Sequence, residues 1–143
     1  MNIEQTTNLK DTIYTDSLFI REEVFIKEQN IPKEIEIDNK ENQATHYTGY
    51  NKDQPLTTLR VIKINDQTAK LQRIATLKEY RHNGYAKALI KYVLADLKDQ
   101  GFREVLIGAQ SYKIPYYEKI GFKVISEEFM EANIPHKKMS ITL

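Results

Sequence analysis

Cysteine is absent from this chain of 143 residues, which excludes disulfides, thiolate metal sites and a cysteine-linked acyl-enzyme. No apolar run approaches the roughly 18 residues a membrane span needs. The start, Met1-Asn2-Ile3-Glu4, has neither the basic opening nor the apolar block of a secretion signal, so the chain reads as cytoplasmic. Neither sign of charge is in excess: the formal net charge is +1. Nothing therefore drives the chain electrostatically to nucleic acid or to a membrane surface. A Walker loop, a dinucleotide fingerprint, His-Glu-x-x-His, paired-cysteine spacings and a Gly-x-Ser-x-Gly elbow are all missing. The expectation is no bound metal and no serine nucleophile. Repeats, low-complexity tracts and Pro/Gly/Ser-rich linkers are missing too, so residues 1–143 read as one domain, long enough to bury a core.

What is present is ordinary globular composition, with 41% hydrophobic and 29% charged residues. The charges are uneven. Glu28, Glu34, Glu36, Asp38 and Glu41 gather in one stretch, and Arg81, His82, Lys87 and Lys91 in another. Leu9, Ile13, Ile20 and Val24 recur near helical spacing, predicting a helix from about Leu9 to Gln29 that ends before Pro32. The polar stretch from Lys33 to Asn42 reads as a loop. Ile3 to Thr6 suits a short edge strand. Runs at His46 to Asn51, Leu56 to Ile64 and Ala69 to Leu77 read as an antiparallel meander with turns at Asn51–Pro55 and Asn65–Gln67. Ala86, Leu89, Ile90, Val93, Leu94 and Leu97 form one apolar stripe, a helix with Asn83 as candidate N-cap and Gly101 as its stop. Val105-Leu106-Ile107 suits a buried strand. A short helix around Ile114 to Lys119 and strands around Phe122 to Ser126 and Lys138 to Thr142 complete a mixed α/β fold.

Between the third meander strand and the long helix lies Tyr80-Arg81-His82-Asn83-Gly84-Tyr85-Ala86. A helix start presents amides with no internal partner and the positive end of its dipole, which suits a phosphate. Gly84 lets the backbone approach closely, and Arg81, His82, Lys87 and Lys91 can add charge. On its own such a segment is a simple turn as readily as a phosphate loop.

Several separated motifs narrow the choice. Arg81-x-x-Gly84-x-Ala86 resembles the Arg/Gln-x-x-Gly-x-Gly/Ala signature of the GNAT N-acetyltransferases, and Tyr116-Tyr117-Glu118-Lys119-Ile120-Gly121-Phe122 is similar to the segment those enzymes carry after their fifth strand. The stretch Arg21 to Gln29, then Glu36-x-Asp38, His46, Ala109-Gln110 and Ile134-Pro135-His136-x-x-Met139 are similar to a short bacterial subgroup that includes the YjcF and ElaA proteins. The resemblance covers nearly the whole chain. It implies a mixed, mostly antiparallel sheet flanked by helices and splayed between its fourth and fifth strands. It also implies acetyl-coenzyme A (acetyl-CoA) as cosubstrate, with the pyrophosphate on the amides near Asn83 to Lys87, Tyr85 and Ala86 included. The pantetheine arm would lie beside Ile74, Ala75 and Thr76. Gln110 departs from the Asn that many members carry there, which leaves its pantetheine contact open.

Aminolysis of a thioester needs a neutral amine, a donor for the oxyanion and a proton for the departing thiolate. Tyr117 matches the family's general acid, Tyr116 reads as packing, and a backbone N–H at Ile74 or Ala75 is the expected oxyanion donor. His136 is the candidate base, since imidazole titrates near neutral pH and Asn133-Ile134-Pro135 reads as a loop that presents it. His46, Glu28 and a water chain compete with it. His82 reads as a cofactor contact. Arg21 and Arg73, on an apolar helix and inside a strand, need partners. Either they pair with Glu28, Glu36 or Asp38, or they line the acceptor pocket and hold an anionic group; an acidic loop facing the pocket would instead favour a polyamine-like acceptor. The reading is direct transfer from acetyl-CoA to a small-molecule primary amine in a ternary complex. A non-catalytic acetyl-CoA sensor and a protein amino-group acetyltransferase are the alternatives. A homodimer fits the family habit, although no residue argues for it.

Overall fold

The computed structural model describes residues 1–143. One sheet organises the chain. Its strands are β1 (Asn2–Thr6), β2 (Thr45–Asn51), β3 (Gln54–Lys63), β4 (Thr68–Thr76), β5 (Glu104–Gln110), β6 (Lys123–Val124), β7 (Phe129–Glu131) and β8 (Ile134–Thr142). Their order is β1-β2-β3-β4-β5-β8-β6, with β7 paired to β8. Every neighbouring pair is antiparallel except β4 with β5, which is parallel. A parallel pair needs a crossover, and α3 (Tyr85–Asp99) supplies it.

Period-two alternation decides which face each strand residue serves. Tyr47 turns to α3, where its hydroxyl donates to Asp96 at 2.7 Å. Its neighbour Thr48 turns the other way and donates to the Ile13 carbonyl of α1 (Thr12–Arg21) at 3.2 Å. The larger core lies on the α3 side, where Leu89, Ile90, Val93 and Leu97 meet Leu71, Val105, Ile107 and Met139. A smaller one joins Ile20, Val24, Phe25 and Ile31 to Ala75 and Leu77. No helix of the protein is long and apolar enough to cross a membrane.

The first helix departs from the expected span of Leu9 to Gln29. It begins at Thr12, where the Asp11 carboxylate caps the Ile13 amide at 3.0 Å. From Glu22 to Glu28 it widens to a π-helix, a form that recurs at functional sites. Asn30, at φ 58°, then turns the chain. The expected loop 33–42 contains α2 (Lys33–Glu36) and a 3₁₀ turn at Glu41–Gln43. The expected loop before His136 is instead a β-hairpin, β7–β8. Its two-residue turn puts Ala132 and Asn133 at φ 51° and 61°, as a type I′ turn requires.

Candidate active site

The site begins with a defect in β4. Thr58 pairs with Ala75 and Arg60 with Gln72, so Leu59 alone opposes both Arg73 and Ile74. Such a bulge bends the strand and re-aims it. Arg73 takes the left-handed conformation, at φ 56°, that glycine usually fills there. Parallel pairing with β5 stops at Leu71–Ile107, whereas β4 runs on to Thr76 and β5 to Gln110. The strands splay apart, and a cavity of about 750 Å³ fills the opening.

At one end of the cavity the chain climbs from Thr76 through a 3₁₀ turn at Lys78–Tyr80 into α3. His82 and Gly84 adopt φ of 66° and 79°. The first α3 bond runs from the Ala88 amide to the Gly84 carbonyl, and the amides from His82 to Lys87 donate to no backbone carbonyl. They form a nest of positive partial charge at the helix start. A side chain at Gly84 would meet nothing within 4 Å, so glycine is there for its φ and for the open space above it. Asn83 is not the N-cap; Gly84 is, and the Asn83 side-chain Nδ2 donates back to the Tyr80 and Arg81 carbonyls. His82, Gly84, Tyr85 and Ala86 line the cavity, while the Asn83 and Lys87 side chains are exposed beside it.

Arg81 is committed within the protein. Its Nε donates to the Thr76 carbonyl at 2.9 Å, and both Nη groups donate to the Glu28 carboxylate at 2.6 and 2.7 Å. These hydrogen bonds hold the Glu28 carboxyl below the usual carboxylate range. Arg81 thus ties the end of the π-helix to the end of β4 and fixes the amide nest between them. The same pair removes Glu28 as a free base.

Across the splay, α4 (Ile114–Ile120) carries Tyr117. Its ring packs edge-on against Tyr116 and Phe122 at 5.3 and 6.1 Å. The residue is 9% exposed, and burial pushes its hydroxyl well above the ordinary tyrosine pKa. No fully buried side-chain polar atom of the protein lacks a partner; the Tyr117 hydroxyl, which bonds to no protein group, therefore keeps its access to the cavity. Ile74, Ala75, Thr76 and Gln110 line the same space, and Gln110 donates to Gln29 Oε1 at 3.0 Å. Tyr116 lines it as well, with the Lys113 ammonium 5.4 Å from its ring centre.

The hairpin closes the other end. His136 is buried, stacks on Phe129 with centroids 5.9 Å apart, and holds Nδ1 2.6 Å from the Ile134 carbonyl. A carbonyl only accepts, so Nδ1 carries the proton and the lone pair of the neutral ring lies on Nε2. Nε2 sits 3.5 Å from a Glu131 carboxylate oxygen. His46, its rival, is buried against Tyr14 with Nε2 2.8 Å from the Glu41 carbonyl, away from the cavity.

The arginines part company. Arg21 is 1% exposed and lines no part of the cavity. Glu36 and Glu41 each bind its guanidinium at 2.7 Å, so the acceptor role expected for Arg21 gives way to the ion-pair alternative. Arg73 does line the cavity, held from behind by Glu36 and Asp38 at 3.2 and 3.3 Å. Sequence reasoning missed Lys70, Phe129 and Glu131 among the lining residues. Only the alternation of β4 marks Lys70, and nothing local marks the hairpin.

The acetyltransferase (GNAT) domain family matches residues 8–143. The chain belongs to that family. It is 39% identical to the uncharacterized N-acetyltransferase YjcF of Bacillus subtilis over 125 residues, 87% of this chain and 89% of the relative. The crystal structure of Escherichia coli ElaA superposes with a TM-score of 0.86 at 22% identity, over 99% of each chain. A GNAT family acetyltransferase from Elizabethkingia anophelis, solved with acetyl-CoA bound, shares the fold at a TM-score of 0.70 and 14% identity, over 99% of this chain and 97% of its own. As a GNAT acetyltransferase, this protein is an acyltransferase.

Proposed function

We propose that residues 1–143 act as one cytoplasmic N-acetyltransferase domain, passing acetyl from acetyl-CoA directly to a primary amine of a small molecule. The observation that carries the reading is the run of unpaired amides from His82 to Lys87, opening into the same cavity as the Tyr117 hydroxyl. The fit to coenzyme A is physical. Amides at a helix start suit a pyrophosphate, and a gap between two strands suits an extended arm that pairs with backbone at Ile74 to Thr76. Acetyl-CoA supplies an activated acyl group whose leaving thiolate has an ordinary pKa of about 8.5. Kinship with a GNAT enzyme that binds acetyl-CoA supports the same cosubstrate.

The residues of the chain take the remaining roles. Tyr117, kept protonated by burial, gives a proton to the departing sulfur. His136 Nε2 takes one from the incoming amine, with Glu131 stabilising the imidazolium that results. No cysteine exists to hold the acetyl group, which favours a ternary complex over an acyl-enzyme. A cavity of about 750 Å³ suits a small acceptor.

Thiol release from acetyl-CoA, run with wild type and Tyr117→Phe against amino acids, amino sugars, polyamines and short peptides, tests the reading. Release that needs both an acceptor and Tyr117 is expected. Silence across the small molecules with cofactor binding intact would favour a sensor, and release with peptides alone a modifier of protein amino groups.

A further inference from the structure

We infer that the acceptor amine carries an anionic group, a carboxylate or phosphate, held at the hairpin end of the cavity by Lys70 and Lys138 with the unbonded Nη1 of Arg73. This rests on the acetyl-transfer reading above and narrows its acceptor class.

The acidic stretch that could have drawn a polyamine is neutralised inside the protein. Glu36 binds Arg21 at 2.7 Å and Arg73 at 3.2 Å. Glu41 binds Arg21 at 2.7 Å and Arg60 at 2.6 Å, and Asp38 binds Arg60 at 2.9 Å and Arg73 at 3.3 Å. Carboxylates and guanidiniums balance, and Glu36, Glu41, Arg21 and Arg60 are buried. Glu28, the next acid in the cavity wall, is taken by Arg81.

What remains facing the acceptor is mostly cationic. Lys70 on β4 lies across from Leu106, and Lys138 on β8 lies across from Gly108. Alternation puts both lysines on the sheet face away from α3. Gly108 adds no side chain between them, and the Glu131 carboxylate and Phe129 ring lie over it. Lys70 makes no ion pair within 4.0 Å although it is half-buried; burial pushes its ammonium pKa down, with the Glu131 charge opposing and the Lys138 charge adding to that shift. Arg73 donates through Nε and Nη2 to protein groups, and Nη1 is left without one.

Glu131 is the one unneutralised carboxylate of this wall. It reaches over Gly108, with Oε2 3.8 Å from where a Cβ there would be, and faces His136. The wall therefore has two poles. An amine fits at Glu131 and His136, and an anion fits at the lysines and Arg73. Lys138 and His136 are two residues apart on β8, about 7 Å along a strand, so one small molecule spans both poles. A polyamine would instead bring a second ammonium against the two lysines.

The test compares L-amino acids with their amides, and aminoethyl phosphate with aminoethanol, as acceptors for wild type, Lys70→Met/Lys138→Met and Lys70→Arg/Lys138→Arg. Wild type should favour the anionic member of a pair, and the methionine variant should lose about tenfold of that preference per charge removed. The arginine variant should keep it, and the Kd for acetyl-CoA should not move. Preference for neutral amines or polyamines, or a preference indifferent to the methionine variant, would overturn the inference. A second arm needs no turnover: calorimetry of N-acetyl-L-leucine against N-acetyl-L-leucinamide on the protein loaded with coenzyme A. Lysine-dependent binding of the acid without turnover would sustain the anion site and refute the transfer reading. Equal binding of acid and amide would refute the anion site alone.

Discussion

Tyr117 illustrates how much a single side chain is made by its surroundings. Nine tyrosines are present, and four of the buried or partly buried hydroxyls differ in what they touch. Tyr14, Tyr47 and Tyr50 donate to Glu41, Asp96 and Asp16, whereas Tyr117 donates to no protein group and lines the cavity. Tyr117→Phe should lower kcat by about 10²- to 10⁴-fold, the usual contribution of a positioned acid, while calorimetry finds acetyl-CoA affinity little changed. Because burial raises this hydroxyl's pKa, it stays protonated through pH 7 to 9, and the wild-type rate should show no alkaline loss in that range traceable to it. His136→Ala should depress the rate most near neutral pH and less at alkaline pH, where the amine loses its proton to solvent unaided. A pH–rate profile parallel to wild type would move the base elsewhere. Gly84→Glu sets a carboxylate in the amide nest at a φ of 79°. The strain costs about 1–2 kcal/mol, too little to unfold the chain, but calorimetry should find coenzyme binding abolished.

Among the elements, the hairpin β7–β8 shapes one end of the cavity, because it brings Phe129 and Glu131 onto His136. Its turn holds Ala132 at φ 51°, a conformation that an L residue adopts at a cost and glycine does not. Ala132→Gly should therefore raise stability by about 0.5–1 kcal/mol in urea denaturation, the reverse of the usual effect of adding glycine. A loss of stability there would mean that the Ala132 methyl, packed against the smaller core, outweighs backbone strain. The π-helix and the β4 bulge serve the site in a similar way. Each departs from ideal geometry where a side chain must reach the cavity, at Glu28 and at Arg73.

For the whole molecule, the buried charge network joins α1, α2, the 3₁₀ turn at Glu41–Gln43, β3 and β4 behind the Arg73 wall of the cavity. Burial alone would raise the Asp38 and Glu41 carboxyl pKa values. Hydrogen bonds and charges from Arg60, Arg21 and Arg73 outweigh it and hold both below the usual range. A carboxylate depressed on folding contributes stability that is complete above its unfolded pKa, about 3.9 for Asp and 4.3 for Glu. That stability is lost as pH falls toward the folded value. From Asp38 and Glu41, Tm should thus be flat above about pH 5 and fall steeply below pH 4, while Glu36, whose carboxyl burial pushes up, partly opposes that fall. Arg60→Met strands Glu41 and Asp38 beside one arginine each. It should cost about 3–5 kcal/mol at pH 7 and flatten the acid limb, as thermal unfolding across pH would record.

The order of elements, the mixed sheet, the loop into α3 and the place of Tyr117 beside the cavity were legible in the sequence because local signals carry them. Apolar period marks the strands and α3, a glycine marks the left-handed step into the helix, and separated motifs mark the family. The hairpin, the π-helix, the bulge and the fate of each charge were not. They depend on partners remote in the chain: Glu131 and His136 meet through a turn of Ala-Asn that carries no glycine, and Leu59 opposes Arg73 only through sheet register. Sequence alone made Arg21 and Arg73 look alike. Burial separated them, since Arg21 finds two carboxylates inside the protein, whereas the bulge turns Arg73 partly toward the cavity.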